Sequence, residues 1–250
     1  MVGLNRSPHR GKGRAVVLIG EKDQTVIKKM FQALEHPVRL VVFTEGAVRP
    51  AGRAPCAYCG HVVSLTQELA GLSEKIATEI VNFDTDRERA AALGIERIPA
   101  IAVIGAEDYG IRFYGIPAGF EFATLLEAII DVSKGRAELA PETLEKLDRI
   151  DEPVHIQVFV TPTCPYCPQA VRFAHKLALS NPNVRADMVE AQEFPELAGR
   201  YGVYGVPRTV INEETHIEGA VPESIGILYV LRAAGKLTSD EAKQLTAIGR

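Results

Sequence analysis

Apolar positions change their period repeatedly along this chain, and each change marks an element. Val26, Ile27, Met30, Phe31 and Leu34 recur at helical spacing, which predicts a helix over 23–35 with Asp23 as its N-cap and Pro37 just past its end. Val38 to Phe43 is a nearly continuous apolar run, the signature of a strand buried on both faces. Helical spacing returns over 56–72, carried by Val62, Val63, Leu65 and Leu69. A strand over 76–83, a helix over 87–93, a strand pair over 100–104 and 111–114, and a helix over 120–132 complete a first set. Asp84-Thr85-Asp86 is placed to cap the helix at 87. The second set comprises a helix over 141–150, a strand over 154–160, a helix over 164–179, a strand over 184–189 and a helix over 193–201. Strands over 208–211 and 216–218, a helix over 223–233 and a short terminal helix over 239–247 follow.

The two sets are one pattern written twice. A shift of 108 residues carries Cys56 onto Cys164, Cys59 onto Cys167 and Pro99 onto Pro207, so each second cysteine precedes a proline by 40 residues. Gly115-Ile116-Pro117 has a counterpart in Gly219-Ala220-Val221-Pro222. Val41-Val42-Phe43 matches Gln157-Val158-Phe159, and the first unit carries a net insertion of 8 residues within 45–54. Matches in this order predict a duplicated α/β unit of about 100 residues. The expected organisation is an N-terminal tail with a short strand over 1–20, a first unit over 21–135 and a second over 136–250.

Composition narrows the class. With 46% hydrophobic and 24% charged residues over 250 positions, the chain has the balance of a globular protein with a substantial core. A net charge of −4 argues against an extended nucleic-acid footprint. No apolar run reaches the ~18 residues of a membrane helix. Arg6, Arg10, Lys12 and Arg14 make a basic tail, but the apolar run behind it, 15–19, is shorter than the ~7–15 residues of a signal-peptide core. The cytoplasm is therefore the expected location, with no membrane and no nucleic-acid partner.

The cysteines carry the chemistry. All four fall in two Cys-x-x-Cys pairs, which in such a chain points to redox work or a metal. A first cysteine at a strand-to-helix junction meets unpaired backbone N–H groups and the helix dipole, which favour the thiolate. The thiolate is the nucleophile, and such motifs lower the ordinary thiol pKa of about 8.5. Cys56 and Cys164 are thus the expected nucleophiles, accessible at helix starts, with Cys59 and Cys167 one turn on as resolving thiols. Pro165 suits a first helical turn, where its missing N–H costs little. Tyr58 and Tyr166 stand third in each pair, either as an aromatic rim for docking peptides or as surface tyrosines packed on their own helices.

Cys164-Pro165-Tyr166-Cys167, placed behind a Val-Phe strand, resembles the glutaredoxin active site. Ile98-Pro99 and Val206-Pro207 resemble the cis-proline step of thioredoxin-fold proteins. The doubled arrangement over roughly 20–235 resembles the protein disulfide oxidoreductases of thermophilic archaea and bacteria. That resemblance implies two tandem thioredoxin-like folds, each a central mixed β-sheet flanked by helices. It implies an enzyme that reduces, forms or isomerises protein disulfides, with protein substrates and a thioredoxin reductase as partners and no bound cofactor. It also implies that Ile98, Pro99, Val206 and Pro207 shape the substrate groove through a cis bond. One departure stands out. Thioredoxin keeps a buried aspartate six residues before its first cysteine, whereas that place is Val158 in the second unit and, by strand matching, Val42 in the first. The proton acceptor for the resolving thiol is therefore unidentified in the sequence.

The cysteines allow other readings. Four of them can make one Cys₄ zinc site, but each pair opens its own helix. A structural Cys-x-x-Cys disulfide closes too short a loop to stabilise much. One active and one degenerate site is a further possibility. His9, His36, His61, His155, His175 and His216 show no metal spacing, and His61 reads as a helix-surface residue beside the first pair. Two functional alternatives remain: a peptide-binding folding-assistance module with secondary redox chemistry, and a dedicated electron donor to a peroxiredoxin.

Overall fold

The computed structural model describes residues 18–46 and 54–248. The predicted basic tail, nearly all of the predicted short strand and most of the insertion lie outside the described residues. Residues 18–20 form no strand.

The first unit runs α1 (Glu21–Met30), β1 (Val38–Thr44), α2 (Cys59–Ala70), β2 (Ile76–Asn82), α3 (Arg87–Ala92), β3 (Ala100–Ile104), β4 (Ile111–Tyr114) and α4 (Phe120–Lys134). The second runs α5 (Pro141–Leu147), β5 (Val154–Val160), α6 (Cys167–Ser180), β6 (Val184–Glu190), α7 (Pro195–Arg200), β7 (Arg208–Ile211), β8 (Thr215–Glu218), α8 (Glu223–Ala233) and α9 (Ser239–Ile248). Asp86 caps α3 by accepting the Arg89 N–H at 3.2 Å, as its position suggests. Asp23 does not cap α1. That helix begins two residues earlier behind Gly20, and Asp23 lies in its first turn, where a negative charge also suits the helix dipole.

Each unit orders its strands alike: β2-β1-β3-β4 and β6-β5-β7-β8. In both, a parallel pair is followed by two antiparallel ones. The two halves then join. β4 pairs parallel with β6, with Ile111 opposite Ala186 and Tyr114 opposite Val189, so a single eight-stranded mixed sheet crosses the molecule. Strand alternation feeds two cores. Leu40, Val42, Ile101, Val158 and Met188 pack on one face with α1, α2, α4, α6 and α8. Val41, Phe43, Ala102, Phe159 and Val189 pack on the other with α3 and α7. Burying each such aliphatic or aromatic side chain contributes about 1.5–3 kcal/mol.

The seam has a polar margin. Arg112 of β4 is buried, donates to both carboxylate oxygens of Asp108 at 2.8 and 2.5 Å, and binds the Leu93 carbonyl through Nε at 3.0 Å. Across it, Arg185 of β6 donates to the Tyr114 hydroxyl at 2.8 Å and to Asp187. The strand directions place the C-terminal ends of β1, β4, β5 and β6 at one edge of the sheet. Open α/β sheets build their sites at such an edge.

Candidate functional site

Both cysteine pairs lie on that edge, Cys56–Cys59 beyond β1 and Cys164–Cys167 beyond β5, and each is closed as a disulfide. The second cysteine of each pair is the first residue of its helix, with Tyr58 and Tyr166 at the cap positions. The helices therefore start three residues later than their apolar spacing predicts. The backbone explains the difference: Cys164 donates its N–H to Thr161 O at 3.1 Å, a turn bond, and the α2 ladder begins with Val62 donating to Tyr58 O at 2.9 Å. The first cysteines precede the helix dipoles and do not sit within the first turn.

Burial separates the sulfurs. Cys59 and Cys167 are buried, and Cys56 is partly exposed. Cys164 is only 7% exposed, less open than expected of a nucleophile, with the Val206 carbonyl oxygen 3.6 Å from its Sγ. In the reduced protein a thiol at that place can donate to this carbonyl.

The proline loops face the pairs. The Ile98–Pro99 and Val206–Pro207 bonds are both cis. Gly115 donates its N–H to Pro99 O at 3.0 Å and Gly219 donates to Pro207 O at 2.8 Å, so two of the repeated sequence matches are one repeated hydrogen bond. Both glycines have positive φ (87° and 72°), which glycine adopts without strain. Pro99 lines a groove with Cys56 and Tyr58. Ile98 and Val206 are partly buried against the core. Tyr166 is 68% exposed, and Tyr204 on the second proline loop projects fully into solvent. Tyr58 is also exposed, with the His61 ring 6.0 Å away.

Three acids near the pairs went unrecognised in the sequence. Val42 and Val158 are fully buried, so no proton carrier stands at either of those two places. Glu121, the second residue of α4, is buried with no hydrogen-bond partner on either carboxylate oxygen. Burial pushes its carboxyl up to about 7, and the nearby Thr124 hydroxyl pulls weakly the other way. Its neighbour Phe120 donates an N–H to Pro162 O, two residues before Cys164. Glu121 thus follows directly on a backbone contact between α4 of the first unit and the loop before Cys164, a placement no local motif reveals. In the first site, Glu45 accepts the Cys56 N–H through Oε2 at 3.2 Å. Glu193, beyond β6, lines the same groove as Cys56, and burial with Glu190 close by pushes its carboxyl up to about 7.

Two tandem thioredoxin folds, each presenting a Cys-x-x-Cys pair opposite a proline loop, define the class: a thioredoxin-fold thiol–disulfide oxidoreductase. The thioredoxin domain family matches residues 154–232 directly. The chain is similar over 90% of its length to a protein disulfide oxidoreductase from Aeropyrum pernix K1, covering 97% of that chain at 29% identity and a TM-score of 0.78. It is similar to the NTD_N/C domain of the alkylhydroperoxide reductase AhpF from Enterococcus faecalis at 27% identity and a TM-score of 0.75, covering 84% of this chain and 98% of that one. Among curated proteins it is 26% identical over 194 residues to the AhpF component of the alkyl hydroperoxide reductase of Pseudomonas aeruginosa, spanning 76% of this chain and 35% of the relative. It is 29% identical over 160 residues to an NADH dehydrogenase of Ferdinandcohnia aciditolerans, spanning 63% and 28%. The chain thus spans about a third of the length of these curated relatives. Among the described residues, no helix is long and apolar enough to cross a membrane.

Proposed function

We propose that this protein exchanges disulfides with protein substrates through both pairs, with Cys56 and Cys164 as nucleophiles and Cys59 and Cys167 as resolving thiols. The observation that carries the reading is the placement of Cys164 Sγ against the Val206 carbonyl, beside a buried partner sulfur. The backbone at Val206, the main chain in contact with the reactive sulfur, is the proposed edge for an extended substrate segment. Ile98, Pro99, Val206 and Pro207 shape the two grooves, and Tyr58 and Tyr166 form their rims.

In the reducing direction the Cys164 thiolate attacks a substrate disulfide. One substrate sulfur leaves as a thiolate and takes a proton, and the other stays in a mixed disulfide. Cys167 loses its proton, with the buried carboxylate of Glu121 as the proposed acceptor, and attacks Cys164 Sγ. The Cys164–Cys167 bond forms, the mixed disulfide breaks, and the second substrate sulfur leaves. Two electrons pass from the pair to the substrate. Oxidation of a substrate dithiol is the same sequence reversed. A thioredoxin-reductase-type flavoprotein is the proposed source of electrons, and the cytoplasm the proposed location.

A second reading, electron delivery to a peroxidase, draws on the likeness to the alkyl hydroperoxide reductase AhpF. Insulin reduction by wild type and by Cys56→Ser, Cys164→Ser and the double variant tests the first reading. Each single variant retains turnover through its intact pair, and the double variant falls to background. Turnover that survives the double variant contradicts the assignment. Reduction of a peroxiredoxin with no insulin turnover moves the protein to the second reading.

A further inference from the structure

The first pair opens onto a groove of about 560 Å³ that belongs to both halves of the chain. One wall is local: Pro55, Tyr58 and Pro99 around Cys56. The opposite wall is Glu193 and Phe194, from the turn between β6 and α7 of the second unit. The sheet seam makes this geometry. Because β4 and β6 run parallel in register, the turn after β6 emerges beside Gly115 and Ile116, at the edge where β1 delivers the first pair.

That far wall is fixed before any ligand arrives. Glu193 Oε1 accepts the Ile116 N–H at 2.6 Å, and the Glu193 N–H donates to Glu190 Oε2 at 2.7 Å. The Phe194 ring stands edge-on to Tyr114, centroids 6.3 Å apart. The charges on the groove are unequal in their satisfaction. Arg97 is engaged by Glu96 at 3.2 Å and lies over the Tyr114 ring. Glu193 has no cation paired with it among the described residues, and its close ionisable neighbour, Glu190, carries the same sign. A half-buried carboxylate beside a second acid gains most from a positive charge brought by a ligand.

We propose that Glu193 and Phe194 are specificity residues of the first redox site, and that this groove takes an extended protein segment with Lys or Arg beside its reactive cysteine. Glu193 meets the cation, and Phe194 packs against the aliphatic stem of the same side chain. The inference rests on the reading of Cys56–Cys59 as a disulfide-exchange pair.

The test uses the full chain with its second pair silenced by Cys164→Ser and Cys167→Ser. Two peptide disulfides are compared, identical except for Lys or Glu next to the cysteine. At pH 8.5, where Glu193 is ionised, the expected kcat/KM preference for the Lys peptide is about fivefold, the size of a partly exposed ion pair. Glu193→Gln, which keeps an acceptor for the Ile116 N–H, brings the ratio to about one, and Glu193→Lys inverts it. Phe194→Ala lowers turnover of the Lys peptide more than that of the Glu peptide. A parent ratio near one, or a ratio unmoved by both Glu193 variants, overturns the inference while leaving disulfide exchange standing. Failure of the parent to turn over either peptide or a small disulfide overturns the redox reading of this pair, and the inference with it.

Discussion

Phe120 donates its backbone N–H to the carbonyl oxygen of Pro162 at 3.1 Å, so the last helix of the first unit is fastened to the loop that presents Cys164. Gly119 makes the approach possible: its φ is 60°, and a Cβ there would run into the Pro162 carbonyl. Glu121 is the next residue along that helix, buried and without a hydrogen-bond partner on either carboxylate oxygen. The two redox sites are thus not two copies of one local design. The first site borrows Glu193 and Phe194 from the second unit, and the loop of the second is held by the backbone of Phe120 from the first.

Glu121 gives a paired expectation. Its folded pKa, about 7, lies above its ordinary 4.5, so burial of the neutral acid contributes stability that is present below pH 4.5 and lost as pH rises through 7. Glu121→Gln therefore stabilises the protein at pH 8, by up to about 3 kcal/mol, and changes little at pH 4. The same variant in a Cys56→Ser background slows turnover at the second pair by about 10–100-fold at pH 7–8 and removes its rise with pH near 7. Thermal unfolding and a pH–rate profile read the two effects separately. Stabilisation with an unchanged profile makes Glu121 a buried acid with no part in proton transfer.

Glu45 and Thr161 occupy matching places after β1 and β5 but treat the following cysteine differently. Thr161 offers Cys164 a backbone carbonyl, while Glu45 offers Cys56 a carboxylate. A carboxylate bonded to the backbone of the cysteine works against negative charge on the same residue. Reduced Cys56 should alkylate more slowly than an otherwise similar thiol, and Glu45→Gln should speed its reaction with iodoacetamide at pH 7 severalfold. Quenched-time mass spectrometry on a Cys164→Ser background measures this, and an unchanged rate refutes it.

His175 is an acid-sensitive point in the seam. It lies on α6, fully enclosed against Phe113 (centroids 4.9 Å), and neither ring nitrogen has a hydrogen-bond partner. Burial holds its pKa down to about 4, with Asp187 and the nearby Arg112 backbone pulling upward and Arg172 pushing down. The neutral form is the one the fold accepts. Its contribution is intact above the ordinary 6.5 and is lost as pH falls through 4, to a total of about 3 kcal/mol. His175→Leu, close in volume, should flatten the fall in melting temperature between pH 6.5 and 4. An unaltered acid limb would show that His175 escapes to solvent on protonation at no cost.

The Arg112–Asp108 pair should matter more for stability than the exposed Lys243–Asp240 contact. Asp108→Asn strands a guanidinium that is 2% exposed, at a cost of about 2–3 kcal/mol, below the ~3–5 of a pair buried on both sides. Asp240→Asn, with both partners in solvent, should change the melting temperature little. Equal effects from the two variants contradict this ranking.

Much of this was legible in the chain. Periodicity placed β3, β4, β5, β7 and α8 where they are found, because a Gly or Pro stands immediately before each of them and marks its start. The repeat arithmetic located both pairs and both proline loops, since cysteine and proline spacing is set by the unit's own topology. The seam was not legible. Nothing in Ile111–Tyr114 or Val184–Glu190 says that these strands pair with each other, and so the placement of Glu193 and Phe194 on the groove of the first pair was hidden. The late helix starts were missed for a different reason: Val62 and Val171 carry the helical period, but the turn bond at Thr161 is invisible to it.

Disulfide exchange predicts a covalent intermediate at two named sulfurs. In a Cys59→Ser, Cys167→Ser protein the resolving step is blocked, so incubation of the reduced variant with an oxidised protein substrate should trap mixed disulfides. Peptide mapping should find them on Cys56 and Cys164, released by a small thiol. Adducts on neither sulfur, with the fold intact by circular dichroism, would leave this molecule without the chemistry assigned to it.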